Sequence, residues 1–111
     1  MKNVSFYRPN SRILSSVESV ALTAWVSEAL EEGAENLLID FRDVLFMDSR
    51  GLGALIIANN RAKKASATLG LCCLNGQARM LFEMSNTHTV FNIYDSVEDF
   101  QRDGLPYPNV A

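Results

Sequence analysis

Hydrophobic positions recur with a helical period in the first third of the chain. A spacing of i, i+4, i+7 and i+8 predicts one buried helix face, and the residues at this spacing are Leu22, Val26, Ala29 and Leu30. Ser15 and Glu18 precede this stripe at the spacing of a capping box. Gly33 follows it, where a glycine commonly ends a helix. We therefore predict a first helix between Ser15 and Gly33.

Short apolar runs without this period predict strands. One run covers residues 37–39 and ends in Asp40, and another covers residues 68–74. Such runs suit strands that are buried on both faces, as in a parallel sheet covered by helices. Briefer extended segments are predicted at residues 4–6, 13–14 and 90–94.

The remaining pattern predicts three further helices. The second should run from Leu52 to about Ala65, with a buried face of Leu52, Leu55, Ile56 and Ala62. Its outer face should carry Asn60, Arg61, Lys63 and Lys64. The turn signal Asn75-Gly76 precedes a short helix at residues 77–84, and Ser96 starts a last helix that Gly104 and Pro106 should end. Alternating strands and helices predict a single α/β domain over residues 1–111, with a mainly parallel mixed sheet and helices packed against it.

Composition and charge exclude several classes of protein. The 111 residues are 48% hydrophobic and 21% charged, with a formal net charge of −3. This balance lacks the basic footprint of nucleic-acid binding, and no apolar run approaches the ~20 residues that cross a bilayer. The first residues also lack the apolar stretch of a signal peptide. We therefore expect a cytoplasmic protein without a nucleic-acid or membrane partner.

The two cysteines, Cys72 and Cys73, are adjacent. Neighbouring side chains in a strand point to opposite faces, so a disulfide between them should be strained. One adjacent pair also lacks the spacing of a zinc site. We predict two reduced and mostly buried thiols, with redox sensing as the alternative.

The stretch VLFMDSRGLGALI, residues 44–56, places a serine between an acid and a glycine before a helix. A hydrolase nucleophile elbow requires G-x-S-x-G, but Met47 occupies its first glycine position, and the one histidine, His88, lies in a polar stretch. A nucleotide loop would continue from Gly51-Leu52-Gly53 to a third glycine. Ile56 stands there instead, and Asp48 would repel a phosphate.

Two further hypotheses concern a metal site formed by the acids in and just before this stretch, and a helix cap formed by its serine. Asp40, Asp43 and Asp48 fall within nine residues, but their spacing matches no calcium loop. No metal or other cofactor is therefore expected. Ser49 suits a helix N-cap, a position that serine and aspartate both favour. A cap does not explain Arg50, because its positive charge would lie in the first turn, where the helix dipole favours negative charge. The flanking apolar residues Phe46, Met47 and Leu52 are also typical of a docking site.

The segment LIDFRDVLFMDSRGLGALI resembles the central part of STAS domains, and most closely that of anti-sigma factor antagonists. Their motif Phe-Met-Asp-Ser-Ser-Gly-Leu-Gly is matched from Phe46 to Gly53, except that Arg50 replaces the second serine. The run LGLCCLNGQARMLFEMSNTHTVFNIYDSVEDF is also similar, so the likeness spans residues 37–100. The N-terminal segment SRILSSVESVAL lacks the usual Gly-Glu-Leu-Asp, and its strands are expected to be shortened.

The resemblance implies a non-catalytic protein that switches partners. In this family the unmodified protein binds an anti-sigma factor, commonly a serine kinase, and so releases a sigma factor. The kinase phosphorylates the serine that matches Ser49, and a metal-dependent phosphatase restores it. The implied contact surface is Met47, Asp48, Arg50, Gly51, Leu52 and Gly53.

A phosphate on Ser49 would add roughly −1.5 to −2 charges. A helix N-terminus can hold that charge through its free N–H groups and its dipole. Gly51 and Gly53 lack a Cβ and should let a partner approach closely. The alternative function is a scaffolding STAS module in a stress-signalling or transport complex. The resemblance leaves open whether the chain forms a homodimer.

Overall fold

In the computed structural model the described residues are 3–84 and 90–102. Within these ranges the chain forms six strands and four helices. In chain order they are β1 (Val4–Tyr7), β2 (Ile13–Leu14), α1 (Ser16–Glu31), β3 (Asn36–Asp40), β4 (Phe46–Met47), α2 (Ser49–Lys64), β5 (Thr68–Cys72), α3 (Gly76–Met84), β6 (Asn92–Tyr94) and α4 (Val97–Arg102). Three residues of the sequence predictions, His88, Gly104 and Pro106, lie outside the described residues.

Four strands form one sheet in the order β1-β3-β5-β6, and β2 pairs separately with β4. Every strand pair in the described ranges is parallel, which confirms the mainly parallel sheet. Alternate side chains of the sheet enter two different cores, because successive residues of a strand face opposite ways. Leu37 and Ile39 belong to the larger core, whereas Leu38 belongs to the smaller one. The central strands are therefore buried on both faces, as predicted.

The smaller core lies where α4 packs against the sheet. Tyr94 and Phe100 meet there edge to face, with ring centroids 5.1 Å apart. Gly70 makes room for them, since a Cβ at this position would lie 2.8 Å from the Tyr94 ring and 3.2 Å from the Phe100 ring. A small residue in β5 thus permits the packing of this aromatic pair.

The predicted signals for α1 are confirmed. Glu18 accepts a hydrogen bond from the Ser15 backbone N–H at 3.3 Å, which is half of a capping box. Gly33 has a φ of +89° just beyond the helix. Its neighbour Ala34 donates to the Ala29 carbonyl at 2.9 Å, so the glycine closes the helix as expected.

The prediction for α2 was partly wrong. The helix begins at Ser49 instead of Leu52, and Ile56 is exposed. Leu55, Ala58 and Ala62 form the buried stripe, which also takes in Asn59. Ile56 lies about 100° around the helix from Leu55, because an α-helix has 3.6 residues per turn. That rotation places its side chain outside the groove between α1 and the sheet.

Candidate functional site

Two similar strand–cap–helix units lie side by side in this structure. β2 and β4 are parallel, with Leu14 opposite Met47. Each strand is followed by one capping residue and a helix, Ser15 before α1 and Asp48 before α2. Because the strands are parallel, both helices begin at the same edge. The Ser15 hydroxyl donates a hydrogen bond to the Asp48 carboxylate at 2.5 Å and thereby joins the two helix N-termini.

Asp48 is the N-cap of α2, which corrects the prediction that Ser49 fills this role. Its Oδ1 accepts hydrogen bonds from the backbone N–H groups of Arg50 and Gly51, both at 3.0 Å. The hydrogen bond from Ser15, followed by those from Gly51 and Arg50, lowers the pKa of the Asp48 carboxyl below its ordinary value. A fixed negative charge therefore stands at the start of α2.

Ser49 is the first residue of α2, and its side chain is exposed. Among the residues that the structure describes, none forms a hydrogen bond with its hydroxyl. The neighbouring Asp48 carboxylate is already engaged by Ser15. The Ser49 oxygen is consequently accessible to an enzyme that transfers a group to it.

Arg50 is exposed next to this serine. Four other arginines form ion pairs, namely Arg8, Arg42, Arg79 and Arg102. Arg50 forms no ion pair with any residue in the described ranges. Its guanidinium is therefore available to a carboxylate or a phosphate, the groups that arginine binds best.

The two glycines of the motif have different surroundings. A Cβ on Gly51 would collide with the Leu14 carbonyl oxygen and lie 2.9 Å from Met47 Cγ. A Cβ on Gly53 would meet nothing within 4 Å. Gly51 therefore allows β2 to pack against α2, and only Gly53 leaves open space beside the site. Met47 is 4% exposed and lies beneath the surface, so it supports the site from below.

Apolar side chains surround the two helix starts. Ile13 and Phe46 are opposite one another in the β2–β4 pair, and each is about half exposed. Val17, in the first turn of α1, is 76% exposed. Leu52 is half-buried one turn into α2. The charged centre thus has an apolar rim, which is typical of a surface that binds a protein partner.

Helix α3 holds β4 in place from the other side. The Gln77 side chain accepts a hydrogen bond from the Met47 backbone N–H at 2.9 Å. The backbone N–H of Ala78 donates to the Leu45 carbonyl at 3.0 Å. The strand that leads to Asp48 is only two residues long and pairs with the equally short β2, so these bonds to α3 help to fix its position.

The comparison with known proteins agrees with this architecture. The sequence profile of the STAS domain matches residues 2–100 of the chain. The chain belongs to the STAS domain family. The match includes the N-terminal strands, which lie outside the range where the motifs were evident. STAS domains are regulatory or scaffolding modules and are not typically enzymes.

Solved structures of STAS proteins share the fold. A candidate anti-sigma factor antagonist from Thermotoga maritima has a TM-score of 0.82 at 19% identity, covering 93% of this chain and 88% of its own. The phosphorylated Bacillus cell fate determinant SpoIIAA has a TM-score of 0.68 at 20% identity, covering 93% and 91%. A sulfate transporter family protein from Wolinella succinogenes has a TM-score of 0.70 at 14% identity, covering 89% and 82%.

The acids that the sequence groups together have different ion-pair and hydrogen-bond partners in this STAS domain. Asp43 pairs with Arg8 at 2.8 Å, and Asp40 pairs with Arg42 at 2.7 Å. Asp48 accepts hydrogen bonds from the Ser15 hydroxyl and from the Arg50 backbone N–H. Each carboxylate thus has its own ion-pair or hydrogen-bond partners among the described residues. In the same ranges, no helix is long and apolar enough to span a membrane.

The cysteines differ from the prediction in one respect. Cys72 is buried and Cys73 is half-buried, and both are free thiols, as expected. Their side chains were predicted to point to opposite faces, which is wrong, because Cys73 follows the end of β5 with a φ of +63°. This left-handed conformation turns its side chain back, and the two sulfur atoms lie 3.4 Å apart.

Proposed function

We propose that this protein is an anti-sigma factor antagonist controlled by phosphorylation of Ser49. In the unmodified state it would bind an anti-sigma factor that is also a serine kinase, in the cytoplasm. Phosphorylation by that kinase would release it, and a metal-dependent phosphatase would restore binding. The observation that carries the proposal is the free, exposed hydroxyl of Ser49 at the start of α2, in the sequence context of the family motif.

The surroundings of Ser49 support a switch that acts through charge. A phosphate would add about −1.5 to −2 charges directly beside the ionised Asp48. Two N–H groups at this helix start, those of Arg50 and Gly51, already bind the Asp48 carboxylate. The phosphate would therefore be stabilised by the helix dipole and by water rather than by these N–H groups. A docked partner would remove that water, so the phosphorylated form would dissociate without a change of fold.

The contact surface of this proposal consists of the exposed or half-buried motif residues Asp48, Ser49, Arg50, Leu52 and Gly53. Gly53 would let a partner's backbone approach, since its Cβ position is open. Met47 and Gly51 would act from beneath by holding α2 against β2. The apolar rim would supply the desolvated contact area around the charged centre.

The decisive experiment is phosphorylation by the anti-sigma factor kinases of the same organism with ATP, followed by mapping of the phosphate by mass spectrometry. Ser16 provides a matched control, because it is the exposed first residue of α1, as Ser49 is of α2. We expect phosphate on Ser49, its loss in Ser49→Ala, and full incorporation in Ser16→Ala. Phosphate elsewhere, or equal incorporation into Ser49→Ala, would refute the assignment.

Binding separates the charge mechanism from an effect on folding. Ser49→Asp should weaken binding of the kinase partner while thermal unfolding stays nearly unchanged. Ser66→Asp, which adds the same charge at an exposed position beyond the C-terminal end of α2, should bind like the unmodified protein. Equal affinity of Ser49→Asp and the unmodified protein would rule out repulsion as the cause of release.

Arg50 supports a second candidate function, a scaffolding STAS module. Its unpaired guanidinium lies beside Ser49 and could neutralise part of the phosphate charge, which would blunt a switch. Arg50→Ser restores the family motif and should increase the affinity difference between the two phosphorylation states. The scaffold would instead be favoured if light scattering showed stable self-assembly and if phosphorylation changed the affinity for the kinase neither in the natural sequence nor in Arg50→Ser.

A further inference from the structure

A second cluster of reactive side chains lies at the carboxyl ends of β3 and β5, apart from the helix starts. It consists of Asp40, Cys72 and Cys73, whose ligand atoms all lie within 4.8 Å of one another. Asp40 and Cys72 are the last residues of their strands and are opposite each other in the sheet register. The parallel pairing therefore brings the acid to the thiols across 32 positions of sequence.

The backbone at Cys73 completes this cluster. Its φ of +63° is unusual for a residue with a side chain, and it directs the Cys73 sulfur to within 3.4 Å of the Cys72 sulfur. An extended Cys73 would place this sulfur on the opposite face of the sheet. The side-chain amide of Asn75 donates to the carbonyl oxygens of Cys73 and Phe41, both at 3.2 Å, and so fixes the turn.

We propose that Asp40, Cys72 and Cys73 form a binding site for one thiophilic divalent cation, of the class of Zn²⁺ or Cd²⁺. Two thiolates and one carboxylate are ligands that such ions accept, and they leave the fourth tetrahedral position for water. Two ligand atoms of one ion lie no more than about 4.6 Å apart, twice the Zn–S distance of about 2.3 Å. The observed spacing therefore needs only small side-chain adjustments.

Arg42 is compatible with this site and would orient it. Its side chain donates to Asp40 Oδ2 at 2.8 Å, and its backbone N–H donates to Oδ1 at 2.9 Å. A carboxylate offers about four acceptor positions, so these bonds leave room for a metal. Partners of this kind commonly fix the ligating groups of metal sites.

The charges balance in both states of the site. Without metal, the two cysteines are neutral thiols near neutral pH, because the ordinary pKa of a cysteine is about 8.5, and the charge of Asp40 is balanced by Arg42. With metal, two thiolates, one carboxylate, one guanidinium and one divalent cation sum to zero. Binding replaces two S–H protons by one cation and releases both protons to solvent. No oxidant or reductant takes part.

The test is titration of the full chain with Cd²⁺ in the presence of a non-thiol reductant. We expect one Cd²⁺ per chain, thiolate-to-metal charge-transfer absorption, release of two protons per ion, and a thermal midpoint that rises with Cd²⁺ concentration. One ion shared by two chains, release of fewer than two protons, or no binding would overturn the proposal.

Variants assign the ligands. Cys73→Ser should weaken binding and reduce the charge-transfer absorption to that of one thiolate or less, and Asp40→Asn should weaken binding by about tenfold or more. Asp43→Asn is the matched control, because Asp43 pairs with Arg8 outside the cluster and should leave binding unchanged. Unchanged affinity in Cys73→Ser or Asp40→Asn would refute the site. If a variant fails to fold, the number of protons that the unmodified chain releases for each bound Cd²⁺ still tests whether two thiolates bind the ion.

Discussion

The Ser15 hydroxyl donates a hydrogen bond to the Asp48 carboxylate and joins the N-termini of the two longest helices in the described residues. The bond connects residues 33 positions apart, and it is the largest cause of the lowered pKa of Asp48. The site of the proposed switch is therefore built from both strand–cap–helix units.

Removing this hydroxyl should change the titration of Asp48. We expect Ser15→Ala to raise the pKa of the Asp48 carboxyl toward its ordinary value, whereas Ser16→Ala should not. A carboxyl-detected NMR titration measures this directly. An unchanged Asp48 titration in Ser15→Ala would contradict the role assigned to the bond.

The same bond should affect stability against acid. Because the pKa of Asp48 is lowered in the folded state, its contribution is present above the unfolded value of about 3.9 and is lost as pH falls through the folded value. In Ser15→Ala this contribution should be smaller and should be lost at a higher pH. Urea unfolding of both proteins between neutral and acidic pH measures the difference.

Substituting the two motif glycines should have opposite effects on stability. Gly51→Ala forces a Cβ against the Leu14 carbonyl and should lower the free energy of unfolding by about 1–3 kcal/mol. Gly53→Ala has open space and should raise it by about 0.5–1 kcal/mol through helix propensity. Denaturant unfolding distinguishes them, and similar losses in both would show that the space beside Gly53 is not open.

Asn59 is a buried polar residue in α2 whose side-chain nitrogen has no partner in the described residues. Asn59→Leu should raise the free energy of unfolding by about 1 kcal/mol, because it removes an unsatisfied buried donor. Asn60→Leu is the control, since Asn60 is exposed and both changes gain similar helix propensity. Equal effects of the two substitutions would mean that the Asn59 amide carries no penalty.

The exposed rim residue Phe46 should matter for binding and hardly for folding. Phe46→Ser removes apolar area that is half exposed, so the thermal midpoint should change little. If the rim contacts the kinase partner, its affinity should fall by tenfold or more, which is about 1.4 kcal/mol. Calorimetric titration with that partner measures this, with Met84→Ser, exposed on α3, as the control. Full affinity in Phe46→Ser would place the contact elsewhere.

Local signals explain which predictions succeeded. The hydrogen bond between the Ser15 N–H and Glu18 and the terminating Gly33 depend on neighbours in sequence, and the structure has both. Ile56 was predicted to be buried because its spacing from Leu52 and Leu55 suits one face of a helix, but it is exposed. Which face of α2 is buried depends on the positions of α1 and β5, which the spacing does not give. Ser49 and Asp48 are both good N-caps, so propensity could not choose between them.

The sequence by itself determined the class of sheet and the order of the helices and of every described strand except β4, because hydrophobic periodicity and capping residues act over a few positions. It also carries the motif around Ser49 that resembles the family. Only the tertiary structure decided that Ser15 holds Asp48, that Leu14 requires Gly51, and that Asp40 meets the two thiols. These contacts join residues about 30 or more positions apart. They exist because parallel strand pairing brings the carboxyl ends of distant strands to one edge, a register that no local pattern encodes.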